Sequence, residues 1–88
     1  MDEAEKSEIQ QKLIELAAEQ AGVEPAQVTP ATNFRNDLNF DSLDEVEYAM
    51  AVEDEFELTV REEEAERFAT VGEVADFVAK EKTDRDSP

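Results

Sequence analysis

The stretch Asn36-Asp37-Leu38-Asn39-Phe40-Asp41-Ser42-Leu43-Asp44 decides how this chain is read. It closes a long polar connection and opens an acidic helix expected to run to about Phe56. Asp41 is a good N-cap, because its carboxylate can accept from the free N–H groups of a first helical turn. Ser42, followed three residues later by Glu45, offers a second capping box. On that reading Ser42 simply starts the helix. A hydroxyl placed there also faces unpaired N–H groups and the positive end of the helix dipole, where an attached phosphate is stabilised. Taken alone, the residues leave both roles open.

Residues of the 42–56 helix, set out at about 100° each, divide their apolar members into two sets. Tyr48, Ala49, Val52 and Phe56 share one side and read as core. Leu43, Val46 and Met50 form a second stripe, edged by Asp44, Glu47 and Asp54. One apolar stripe is enough for a surface helix. The second stripe is therefore either a docking ridge or a face covered by further helix packing.

Upstream, Ser7 to about Ala21 reads as a first helix that starts between Asp2 and Ser7. Ile9, Leu13, Leu16, Ala17 and Gln20 follow helical spacing, and Gly22 is the stop. The connection from Val23 to Asp41 is long for a compact domain, and Val23, Val28, Phe34 and Leu38 are expected to pin it to the core. Downstream, Leu58-Thr59-Val60 crosses the end of the bundle, and Glu62 to Phe68 reads as a short helix with Arg67 near its end. Thr70 and Glu73 have capping-box spacing. They predict a last helix with Val71, Val74, Ala75, Phe77 and Val78 inward. The fold class is all-α: a small four-helix bundle, three main helices plus one short, with a long loop between the first and second. Residues 1–82 make the domain, and 83–88 read as a polar, disordered tail.

Composition removes several function classes. The chain has 88 residues, with neither cysteine nor histidine. Disulfides, thiolate zinc sites and Cys/His nucleophilic pairs cannot be built, and no side chain titrates normally near neutrality. A non-catalytic protein is expected. Twenty-five acids against 8 bases give a formal charge of -17. Nucleic acid and anionic membrane surfaces are poor partners for that field, and a basic protein surface is its complement. The acids are unevenly placed: no Lys or Arg falls between Arg35 and Arg61, an interval holding Asp37, Asp41, Asp44, Glu45, Glu47, Glu53, Asp54, Glu55 and Glu57. No apolar run reaches the ~20 residues that span a bilayer. The first residues lack a basic-then-apolar signal, so a cytoplasmic monomer without stable membrane insertion is expected.

Asp37, Asn39 and Asp41 alternate like the opening of a calcium loop. That loop requires Gly at its sixth position and Glu at its twelfth, where this chain has Ser42 and Tyr48. No metal site is expected.

Asp41-Ser42-Leu43 in this setting, followed by Val46-Glu47 and Glu53-Asp54-Glu55-Phe56, resembles the acyl carrier protein family. The similarity runs from about Ile9 through Glu81 and includes Gly22-Val23, Val28-Thr29, Phe34, Met50-Ala51, Glu63-Glu64-Ala65-Glu66 and Thr70-Val71. The resemblance implies a covalent 4'-phosphopantetheine on Ser42, placed there by a phosphopantetheinyl transferase from coenzyme A. It implies that acyl groups ride on the arm's thiol as thioesters, in fatty-acid synthesis or a related lipid or polyketide pathway. It further implies docking of basic-surfaced synthases, reductases, dehydratases and acyltransferases by Asp41, Leu43, Asp44, Val46, Glu47, Met50, Glu53 and Asp54. An acyl chain would shelter among Phe34, Leu38, Val52, Phe56, Val60, Ala65, Phe68, Val74 and Phe77, residues that any small helical core needs anyway. Asn39 stands where the family usually has Gly, Phe40 where a small residue is common, and Arg61 replaces a frequent Pro. The alternative is an acidic interaction module that never receives the prosthetic group.

Overall fold

The computed structural model describes residues 3–86, and the side chains of 3–83. Four helices follow in order: α1 Glu3–Ala21, α2 Ser42–Phe56, α3 Glu62–Arg67 and α4 Val71–Asp86. The bundle, with three long helices and a short third, has the architecture the sequence predicts. Among the described residues, β pairing is confined to an isolated antiparallel bridge between Asn33 and Thr70.

Each helix end has a local cause. Gly22, at φ 73°, ends α1. Its N–H donates to Glu19 C=O (3.3 Å), and Val23 N–H donates to Ala18 C=O (3.0 Å). This is the Schellman closure that a left-handed residue permits. α2 ends the same way without glycine: Glu57 has φ 52°, and Leu58 N–H reaches Glu53 C=O at 3.2 Å. α4 starts on the predicted capping box, with Glu73 N–H donating to Thr70 Oγ1 (3.3 Å) and Thr70 N–H to Glu73 Oε1 (3.1 Å). No Gly or Pro interrupts 73–87, and α4 continues to Asp86. Residues 83–86 thus extend the helix where a disordered tail was expected, and 87–88 of that tail lie outside the described residues.

α1 packs against both α2 and α4. Ile9, Leu13, Ala17 and Ala18 of α1, Tyr48 and Val52 of α2, and Val71, Val74 and Val78 of α4 form the buried core. Leu16 and Gln20 lie at its margin, and Ala18 takes the inward position instead.

The 23–41 connection is ordered by its own side chains. It contains one 3-10 turn, Pro25–Gln27. Val28, Phe34 and Phe40 are buried, while Val23 and Leu38 are half-buried. Asn33 Oδ1 accepts from Arg35 N–H (3.0 Å) and Asn36 N–H (2.8 Å), and Asp37 Oδ2 accepts from Asn33 N–H (2.8 Å). The loop is tied to the start of α4 by Val71 N–H to Thr32 C=O (3.3 Å) and Gly72 N–H to Pro30 C=O (2.9 Å). Gly72 permits that approach, because a Cβ there would lie 3.1 Å from the Pro30 oxygen.

Candidate functional site

Ser42 is the first residue of α2, and its side chain is exposed. The N-cap is Asp41, as the sequence predicts, with φ -101° and ψ -175°. Its Oδ1 accepts from Asp44 N–H (2.9 Å), and Asp44 Oδ2 accepts in return from Asp41 N–H (3.1 Å). The reciprocal box therefore uses Asp44, and the Ser42–Glu45 box is not formed. Glu45 instead pairs with Arg35, ten residues back in the loop. Ser42 is left with no hydrogen-bond duty among those assigned in the structure. Gln20 Nε2 of α1 donates to Asp44 Oδ1 at 3.0 Å, which fixes the start of α2 against its neighbour. That bond, joined by the Asp41 backbone, holds the Asp44 carboxyl below its usual range.

The turn into the serine rests on two residues that break the family's usual pattern. Asn39 adopts φ 58°, a left-handed conformation that Asn tolerates better than most residues. It lets Phe40 fold under the loop, where Phe40 N–H donates to Phe34 C=O at 2.9 Å. The Phe40 ring stacks on Phe34 (centroids 5.3 Å, 19°) and meets Tyr48 edge-on (5.9 Å). Proximity to the serine suggests contact with the arm, cargo or a partner, but burial assigns Phe40 to the core. Its position just before the N-cap, where apolar residues often fix the entry of the chain, was the available signal.

Ser42 opens on a surface groove of about 510 Å³ lined by Arg35, Ser42, Glu45, Val46, Glu62, Ala65 and Glu66. Behind its wall lies an apolar interior with a cavity of only about 10 Å³. Of the residues expected to shelter a chain, Phe34, Val52, Val60, Ala65, Phe68 and Val74 line that cavity. Leu38, Phe56 and Phe77 do not. Leu38 is half-buried in the loop, and Phe77 lies behind Phe68 at 5.3 Å. Phe56, at the far end of α2, lines a different groove with Ile9 and Lys82. Phe40, Glu45, Tyr48 and Ala49 complete the lining.

The two faces of α2 separate as the spacing predicts. Tyr48 and Val52 are buried, whereas Leu43, Val46 and Met50 are 65%, 51% and 58% exposed, and among the described residues no helix covers them. Glu47 and Asp54 are exposed beside them. Glu53 is half-buried, and its Oε2 accepts from Val60 N–H at 2.9 Å, so it secures the turn after α2. Among the described residues, no cluster of three acids is arranged to hold a metal ion, and no helix is long and apolar enough to cross a membrane.

The comparisons put this bundle, with an exposed serine at the head of its acidic second helix, in the class of carriers with a covalently attached prosthetic arm. Residues 11–78 match the family model for the phosphopantetheine attachment site. The acyl carrier protein of Rubrobacter xylanophilus is 43% identical over 79 residues, covering 90% of this chain and 98% of that protein. That of Thermosynechococcus vestitus is 47% identical over 73 residues, covering 83% and 90%. A solved acyl carrier protein structure from Enterococcus faecalis superposes with a TM-score of 0.72 at 33% identity, over 85% of this chain and 95% of that one. The chain belongs to the acyl carrier protein family. Its cofactor is covalent 4'-phosphopantetheine, and the protein is a non-catalytic carrier.

Proposed function

We propose that Ser42 is the attachment point and that the loaded protein presents acyl groups to enzymes of fatty-acid synthesis or a related lipid pathway. The observation that carries this is an exposed, unengaged hydroxyl at the first residue of α2, opening on a groove of about 510 Å³. The Ser42 oxygen attacks the pyrophosphate of coenzyme A on a transferase. A phosphodiester forms, adenosine bisphosphate leaves, and the transferase takes the serine proton. The arm supplies a terminal thiol, which holds acyl groups as thioesters and replaces the cysteine this sequence lacks. Ser42 and Arg35 would hold its phosphate end, and Val46 and Ala65 would line its less polar part.

Partners dock on the uncovered face of α2. Leu43, Val46 and Met50 supply the apolar contact, and Asp41, Asp44, Glu47 and Asp54 steer basic surfaces toward it. Glu53 contributes charge from its margin. On this reading a transferase and basic-surfaced acyl-processing enzymes are its partners, met in the cytoplasm by a monomer.

The test is intact-mass measurement after incubation with coenzyme A and a broad-specificity transferase. The expected result is a gain of one phosphopantetheine in the native protein and none in Ser42→Ala. An equal gain in Ser42→Ala, or none in either, overturns the assignment.

A further inference from the structure

The groove at Ser42 and the apolar cavity share two lining residues, Glu45 and Ala65. A chain tethered at Ser42 would enter the interior between them. Once there it finds space for about one water molecule. Since cores are close-packed and resist added methylenes, cargo enters only if a lining side chain leaves.

Most of the lining is fixed. Phe34, Phe40 and Tyr48 contact one another and are 2%, 6% and 4% exposed. Tyr48 is further held by donation from its hydroxyl to Leu13 C=O (3.0 Å). Val52 and Val74 are fully buried on long helices. Ala49 and Ala65 are too small to vacate useful space. Phe68 differs from all of these. It is half-buried, it forms the C-cap of α3, a helix of six residues, and it rests edge-on against Phe77, itself half-buried. Its N–H donates to the C=O of Ala65, the α3 residue that borders both the groove and the cavity.

We propose that Phe68 sets the length of acyl chain this carrier can shelter, its ring occupying the space that a longer chain requires. The inference rests on the carrier reading above. With Phe68 in place a long acyl group stays on the surface, its thioester as open to water-borne nucleophiles as that of a butyryl group, which is too short to draw the thioester inside whether or not Phe68 is present.

The experiment loads full-length protein with butyryl, octanoyl or dodecanoyl phosphopantetheine from the corresponding coenzyme A thioesters. Thioester cleavage by hydroxylamine is then followed by intact mass in the native protein, Phe68→Ala and Phe68→Leu. The butyryl form of each variant is its internal control, so a general loss of stability cancels in the ratio, and circular dichroism checks folding. In the native protein the dodecanoyl and butyryl rates should agree within about twofold. In Phe68→Ala the dodecanoyl form should be cleaved about tenfold more slowly than the butyryl form, the factor imposed when one chain in ten is exposed, with Phe68→Leu between. Native protein that already shields dodecanoyl, or a Phe68→Ala protein that shields neither, overturns the proposal while leaving the carrier reading intact. Failure to load at all removes the carrier reading first.

Discussion

Glu57 sits at φ 52°, ψ 50°, the left-handed closing position of α2, with its own N–H donating to Glu53 C=O. An L-residue with a side chain is disfavoured there by about 1–2 kcal/mol, and a negative charge at a helix C-terminus opposes the dipole. Glu57→Gly should therefore stabilise the protein by about 1 kcal/mol in urea unfolding; an unchanged or lower midpoint contradicts this. Tyr48 shows the cost of a buried phenol. Burial pushes its pKa well above the ordinary value, so the neutral form is favoured in the fold. For a group whose folded pKa is raised, the contribution is complete below the unfolded value of about 10 and fades as pH rises through the folded one. Tyr48→Phe should lose about 1 kcal/mol at neutral pH, from the missing bond to Leu13 C=O. The deficit should shrink above about pH 10. Unfolding curves at both pH values check the crossover, and a deficit constant with pH refutes it. Neither residue's behaviour is legible in the sequence. Glu57 gives no sign of its backbone angle, and the partner of Tyr48 lies 35 positions away.

At the level of the element, α2 was the most readable part of the chain, because helical spacing alone sorts Tyr48 and Val52 from Leu43, Val46 and Met50. Whether a neighbour covers the second stripe depends on where α3 packs, and periodicity does not carry that information. The division makes a paired prediction. Val52→Ala opens a void in a fully buried position and should cost about 2 kcal/mol, whereas Val46→Ala on the exposed face should change stability by less than about 0.5 kcal/mol. Equal losses in denaturant titrations would mean that the exposed stripe is packed in solution. The loop before α2 was less legible. Val28 and Phe34 were expected to anchor it and do. Phe40, however, is buried only because Asn39 turns left-handed and brings the ring under Phe34, a tertiary event with no periodic signature. The pairing of Arg35 with Glu45 was hidden for the same reason.

For the molecule as a whole, 25 acids and 8 bases on one small bundle set self-repulsion against a modest core. Screening should help the folded state. Added sodium chloride or magnesium should raise the melting temperature, by about 4–8 °C for each kcal/mol of repulsion relieved. A midpoint that stays level or falls on titration would show that repulsion is not a governing term. Helix number and order were readable because each long helix has its own stop or start: Gly22, Asp41, Thr70. The extent of α4 was not, since polarity suggested a tail where nothing in 73–87 breaks a helix.

Phe34 is clasped from both sides: its N–H donates to Ala69 C=O at 2.9 Å, and its C=O accepts from Phe40 N–H at 2.9 Å. Ala69 is the covalent neighbour of Phe68, and Phe40 stands two residues before Ser42. The segment after α3 and the turn before α2 are thus joined through one residue, two hydrogen bonds apart. On the proposed reading, a passenger lodged at Phe68 and its mooring at Ser42 would be joined through that one clasped residue.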